Sequence, residues 1–204
     1  MKVKLISSSK ASREMVNEGI YDAQELIAFC ARVSNPANQF NTETSEKLIN
    51  YLIKHQHWSP LEMVSACLEI ETTRDIARQI LRHRSFSFQE FSQRYADPTK
   101  DLDFVIREAR LQDTTNRQNS VVTDDVELQA WWDAKQKFII ETVKQTYAEA
   151  ISKGIAKEQA RAILPEGNIE LRSANGTQLE HQLVARECGR VIAEVFPMAS
   201  NHIN

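Results

Sequence analysis

Cysteine is scarce in this chain: Cys30, Cys67 and Cys188 are the only three in 204 residues, far apart and without a Cys-x-x-Cys pair. That excludes a disulfide framework and a zinc site of familiar spacing, and it suits a reducing cytoplasm. Glycine is equally sparse, at five residues. None of them builds the Gly-x-Gly-x-x-Gly cradle of a dinucleotide fold or the Gly-x-Ser-x-Gly elbow of a hydrolase. No apolar run is long enough to cross a bilayer, and Met1 to Ile6 lacks the hydrophobic stretch of a signal peptide. The expectation is a protein neither exported nor embedded. A basic excess is missing too, since the net charge is −3, which argues against a protein that coats nucleic acid. There is no internal repeat and no low-complexity tract. What remains, 42% hydrophobic and 26% charged residues, is the composition of a globular protein, expected as one domain over residues 1–204.

The positive charge is local. Arg82, His83 and Arg84 stand side by side, and a run of hydroxyl, amide and carboxylate side chains alternates with Phe86 and Phe88 just after them, continuing to Phe91, Ser92, Arg94 and Tyr95. Arginine offers a planar, permanently charged fork suited to phosphate and carboxylate oxygens, so a compact anion is the implied ligand. Upstream, Thr72 and Asp75 have the spacing of a capping box, and Ile76, Ile80 and Leu81 recur at helical period. On the helix this predicts, Arg74, Arg78 and Arg82 form one basic stripe, and Asp75 is the only acid within the helix near enough to neutralise it. Standing alone, such a stripe reads as readily as solvated surface charge.

The remaining elements follow from periodicity. Lys2 to Ser7 alternates as a half-buried strand. Asp22 with Glu25 opens a helix that runs to Ala31 and stops at Ser34-Asn35-Pro36. A second helix from about Thr42 to His55 carries Leu48, Tyr51 and Leu52 on one face. It delivers His55, His57, Ser59 and Glu62, a cluster that could suggest a metal, but the spacing matches no zinc motif and no metal is expected. A strand from Val64 to Ile70 feeds the arginine helix, and Phe86, Phe88 and Phe91 alternate with polar residues as in an extended segment. Residues 97–101 and 113–119 read as breaks. The longest helix runs from Asp124, capped with Glu127, to Lys153, with Gly154 closing it. Leu128, Trp131 or Trp132, Phe138, Ile139, Val143, Tyr147 and Ile151 give it a broad apolar stripe for core or subunit packing. A short helix from Ala156 to Leu164 carries Arg161, and a last one is expected to start at Thr177 with Glu180. Strands and helices do not alternate strictly enough for a doubly wound sheet. The fold class predicted is α/β in the α+β sense, an antiparallel or mixed sheet flanked by helices, one of them long.

Arg-His-Arg, seven residues, then Ser92 resembles the signature of the flavin-dependent thymidylate synthases. The resemblance continues in Ala31-Arg32-Val33-Ser34, in His57-Trp58-Ser59-Pro60-Leu61-Glu62, in Ala160-Arg161-Ala162-Ile163-Leu164-Pro165, and in Gly176-Thr177-Gln178-Leu179-Glu180-His181, in the family's order. It implies transfer of a one-carbon unit from methylenetetrahydrofolate to C5 of dUMP, with FAD carrying reducing equivalents from NADPH. By the same resemblance Gln79, Arg82, Glu90, Ser92, Arg94 and Arg161 bind dUMP, and Ser34, His57, Ser59, Arg82, His83, Arg84 and Glu90 contact FAD. A homotetramer, no nucleic acid and no membrane partner are implied as well. No cysteine sits beside an activating base, so nothing supports a thymidylate synthase that attacks with a thiolate.

Two departures from the family stand out. Met63 replaces a histidine common after the glutamate. Between Leu164-Pro165 and Ile169-Glu170-Leu171-Arg172 only Glu166, Gly167 and Asn168 remain, where related sequences hold a longer piece carrying an asparagine that faces the flavin and the arginine that polarises the uracil. Arg172 aligns with a different arginine, so no catalytic residue is assigned. Either this is a real deletion, which would cripple the chemistry, or the sequence omits a stretch. Two rival readings follow: a family member that binds FAD and nucleotide without methyl transfer, and, more distantly, a nucleic-acid module that stacks bases on Phe86, Phe88 and Phe91.

Overall fold

The structure is a computed structural model, and it describes residues 1–172 and 179–202. In chain order the elements are β1 (Lys2–Ser8), α1 (Arg13–Asn17), α2 (Ala23–Ala31), α3 (Ser45–Lys54), β2 (Ala66–Thr73), α4 (Arg74–Ile80), α5 (Pro98–Asp101), β3 (Arg110–Gln112), β4 (Ser120–Val122), α6 (Val126–Ser152), α7 (Lys157–Ala160), β5 (Glu170–Arg172) and α8 (Leu179–Ile192). The mixture of helices with small antiparallel sheets and one long helix is the class expected from the sequence.

The chain divides into two compact units, a larger one of residues 1–2 and 70–185 and a smaller one of residues 3–69 and 186–204. In the smaller unit, the Asp22 side chain accepts from the backbone N–H of Glu25 while the Glu25 carboxylate reaches back, the reciprocal cap expected at the start of α2. Its buried face meets α3, and Ile27, Ile49, Leu52 and Met198 form the core. Ile49 is fully buried, and its truncation to Ala would cost about 2–5 kcal/mol. Tyr51, expected on this buried face, instead lies 53% exposed. Helix α1 has no counterpart in the periodicity reading. It is five residues long, and its one local signal is Ser12, whose hydroxyl accepts from the Met15 N–H.

In the larger unit, β2 pairs antiparallel with β5, Glu71 opposite Arg172 and Thr73 opposite Glu170. Strand β2 begins two residues later than expected and continues to Thr73, so α4 starts directly from it. The Thr72–Asp75 capping box does not form: Thr73 is the N-cap and makes no side-chain cap bond. Ile76, Ala77 and Ile80 turn inward, which leaves Arg74 and Arg78 on the outer side. The helix ends at Ile80, so Arg82 belongs to the turn beyond it and the stripe has two arginines in place of three. Residues 86–92 are irregular and are paired with no strand among the described residues, in place of the extended segment expected. Residues 113–119 are the tip of the β3–β4 hairpin. The cap of α6 is Asp125, one residue later than expected, accepting from Leu128 N–H. Gly154, at φ 83°, lets the chain leave that helix in the left-handed region. Tyr147, Ala160, Leu164 and Ile169 pack into the second core. Thr177, the expected start of the last helix, lies outside the described residues.

Candidate functional site

The site in the larger unit is built on α4 and the turns after it. Arg82 N–H donates to Gln79 O at 3.3 Å and His83 N–H to Ile80 O at 3.0 Å, so the Arg82-His83-Arg84 triplet is fixed at its root by the end of the helix. The His83 imidazole stacks on the Phe86 ring, centroids 4.2 Å apart and nearly coplanar at 12°. Further on, Tyr95 N–H closes a turn onto Ser92 O at 3.1 Å. That turn buries Gln93 between two site residues, Ser92 and Arg94.

Gln93 ties this segment to the helix. Its Oε1 accepts from Arg74 Nη1 at 2.7 Å, which fixes the amide orientation, and its Nε2 is buried without a partner among the described residues. Burial lowers the Arg74 guanidinium from its ordinary value, with the charges of Arg78 and Arg161 acting the same way and those of Glu166 and Glu90 opposing. Arg78 and Arg161 therefore both stand within electrostatic reach of Arg74, as do the carboxylates of Glu166 and Glu90. Arginine keeps its charge under such shifts, so the cluster is cationic. Arg78 is paired with Glu166 at 2.6 Å, both about half exposed. Glu166 belongs to the short join after Leu164-Pro165, and the Asp75 N–H donates to its backbone oxygen at 3.2 Å.

The join itself is a formed turn. Asn168 N–H and Ile169 N–H donate to Pro165 O, Val105 N–H donates to Asn168 O at 2.6 Å, and Asn168 Nδ2 donates to Val105 O and Gln136 Oε1 at 2.9 Å each. Ile163, just before it, is left 41% exposed.

The most telling feature is what the expected ligand-binding side chains do not do. Arg82, Arg84 and Arg94 are exposed, and no ion pair neutralises them among the described residues, whereas Arg78, Arg107 and Arg190 each hold a carboxylate. The side chains of Gln79 and Glu90 also make no hydrogen bond within that set. Ser92 Oγ accepts one long bond, 3.4 Å, from Arg94 N–H, and Arg161 Nε donates to Glu158 O at 3.3 Å. Three guanidinium groups left free on the turns that follow α4 suit an anion with several oxygens.

In the smaller unit, Ser34 follows the end of α2. Arg32 is buried there, donating to Asn41 O and, at 2.8 Å, to Thr44 Oγ1, which holds the loop that carries Ser34. Ser34 and Ser59 are exposed, with hydroxyls uncommitted among the described residues. His57 leaves α3 through Gln56, a non-glycine residue at φ 57°, and its N–H donates to Leu52 O at 2.8 Å. Its ring lies near those of Tyr51 and His55, at 6.2 Å from each, with Tyr51 and His55 at 4.3 Å. Two free hydroxyls and an aromatic surface edged with imidazole nitrogens fit a flavin with its ring and phosphates. Met63, at the departure from the family pattern, is 55% exposed. No group of His, Cys, Asp and Glu able to hold a metal is present among the described residues.

Sequence reasoning placed Arg74 in the stripe without a role and did not see Gln93, although it lies between two named residues. Nothing local marks Glu166 as the partner of Arg78.

The family described as "Thymidylate synthase complementing protein" matches residues 16–168, so its match stops within the short join. The chain is 45% identical to a "Probable flavin-dependent thymidylate synthase" of Paramecium bursaria Chlorella virus 1, covering 97% of this chain and 96% of the relative. It is 44% identical to the flavin-dependent thymidylate synthase of Synechocystis, with the same coverage. The viral alignment runs over 213 residues, more than the 204 here, so it opens gaps in this chain. In fold, the chain is similar to the UMP/dUMP methylase PolB from Streptomyces cacaoi bound with 5-Br dUMP, with a TM-score of 0.69, 22% identity, and coverage of 95% of this chain and 90% of that one.

Proposed function

The chain belongs to the flavin-dependent thymidylate synthase family, and from that premise we propose that it methylates dUMP at C5 to give dTMP. The carbon comes from methylenetetrahydrofolate, the flavin is FAD and NADPH is the reductant. The observation that carries this reading is the set of exposed guanidinium groups of Arg82, Arg84 and Arg94, unpaired among the described residues, on the turns that follow α4. Gln79 and Arg82 meet dUMP from α4 and the turn at its end, while Glu90, Ser92 and Arg94 hold its phosphate and sugar, with Arg161 joining them. Arg74 adds charge to the same cluster. For FAD, the contacts that the resemblance implies are Ser34, His57 and Ser59 in the smaller unit, and Arg82, His83, Arg84 and Glu90 in the larger one. Bound flavin supplies the reducing equivalents that convert the transferred methylene to a methyl group. The protein contributes alignment and a fixed electrostatic surround, and needs no nucleophile of its own. Two of the three cysteines fit that absence of nucleophilic work: burial raises both Cys30 and Cys188, the latter to about 11.

The chain works as one domain in a cytoplasmic homotetramer, without nucleic-acid or membrane partners. Trp131, Trp132, Phe138 and Ile139, exposed on α6, supply an apolar surface for subunit packing. Among the described residues, no helix is long and apolar enough to cross a membrane.

A second reading is favoured by the join. Pro165 to Ile169 form a tight turn where relatives carry more chain, and a protein lacking that segment binds FAD and dUMP without transferring carbon. The test is a single turnover of the flavin-loaded protein with dUMP and methylenetetrahydrofolate under reducing conditions, scoring dTMP directly. Formation of dTMP supports the synthase. Bound flavin and bound dUMP with no dTMP support the second reading, and failure to bind dUMP overturns both.

A further inference from the structure

Arg107 lies outside every motif discussed above, on the irregular segment before β3. Its Nη2 is 2.7 Å from Thr73 Oγ1 and 2.8 and 2.9 Å from the two oxygens of Asp75, donating to them. Its backbone is held as firmly. Arg107 N–H donates to Gln136 Oε1 at 2.9 Å and Gln136 Nε2 donates back to Arg107 O at 2.8 Å, with Gln136 only 3% exposed on α6. A buried amide on the long helix thus sets where this guanidinium stands.

Asp75 is the one carboxylate within α4. On a helix its neighbours at three and four positions are Arg78 and Gln79, so its natural local partner is Arg78 and the face it shares is that of Gln79. A carboxylate there would cancel part of the cationic cluster and repel a phosphate. In the structure Arg107 takes Asp75, and Arg78 pairs elsewhere, with Glu166.

We propose that Arg107 is a positioning residue for the nucleotide site, clamping Asp75 at the first turn of α4 so that the carboxylate stays off the Arg74, Arg78 and Gln79 face. The assignment rests on the reading of that face as the dUMP site. Arg107 touches no substrate in this account and acts only through Asp75.

Binding of dUMP to the flavin-loaded protein at low ionic strength tests it, each variant first being shown folded by circular dichroism at the assay temperature. Arg107→Met frees the carboxylate, and the dissociation constant is expected to rise by roughly three- to tenfold, an effect that shrinks as salt is added. Asp75→Asn removes the carboxylate and leaves the Arg107 cation unpaired, so dUMP binds about two- to threefold more tightly. The double variant returns to within about twofold of the parent. A network that merely braces α4 predicts weaker binding in both single variants, and unchanged or weaker binding in Asp75→Asn overturns the assignment, even if Arg107→Met does not fold. Arg82→Ala and Arg161→Ala serve as controls. Should they bind dUMP like the parent, the nucleotide reading itself fails. Loss of binding in the controls with no effect of Arg107→Met removes only the role of Arg107.

Discussion

Arg74 and Gln93, nineteen residues apart in sequence, meet in a hydrogen bond of 2.7 Å in which the guanidinium donates to a buried amide oxygen. The bond fixes an arginine of α4 against the turn that carries Ser92 and Arg94. Replacing Gln93 with Leu removes the acceptor from a partly buried cation, and a loss of about 1–2 kcal/mol is expected in urea unfolding. Gln93→Glu keeps an acceptor but adds negative charge to the cluster, so the dUMP dissociation constant is expected to rise at least about threefold at low salt.

Arg82→Ala and Arg94→Ala remove guanidinium groups that support nothing else among the described residues. Melting temperatures are expected to stay within a degree or two of the parent, while dUMP binding, followed by titration calorimetry, weakens about tenfold or more for each.

Glu166 sits beside Arg74 and Arg78 as an internal anion that competes with a bound phosphate for their positive charge. Because its pair with Arg78 is about half exposed, Glu166→Gln is expected to change stability by less than about 1 kcal/mol. The same variant should bind dUMP more tightly, and the gain should fade with added salt.

Burial pushes the Cys188 thiol up to about 11, and the Glu187 carboxylate acts in the same direction. The neutral thiol is favoured in the folded state, so its contribution is fully present below the unfolded pKa, near 9, and is lost as pH rises from there through about 11. Unfolding titrations are expected to show stability falling by up to about 2 kcal/mol over that window, with a shallower slope in Cys188→Ala. At pH 8, thiol alkylation read by mass spectrometry should modify exposed Cys67 before Cys188.

Local pattern carried the elements whose causes are local. The reciprocal cap at Asp22 and the long run to Gly154 were legible because each depends on residues within a few positions. The Thr72–Asp75 box was misread for the opposite reason. Its carboxylate is claimed by Arg107, 32 residues away, and a side chain that distant leaves no mark on local spacing. The β3–β4 hairpin was hidden because strands of three residues carry too little alternation to register. At the site, Arg82, Arg84 and Arg94, named by resemblance, are exposed, but the contacts made by Arg74 and Arg78 come from the turn at Gln93 and the join at Glu166. Those pairings exist only once the chain has folded.

The stacked indoles of Trp131 and Trp132, 6.1 Å apart and both substantially exposed on α6, give the protein an optical reporter. Trp58, beside His57, is 52% exposed as well. With every tryptophan already in partial contact with water, emission has room to move toward the blue. Whatever covers α6 or the His57 turn therefore announces itself as a shift to shorter wavelength, without any label being attached.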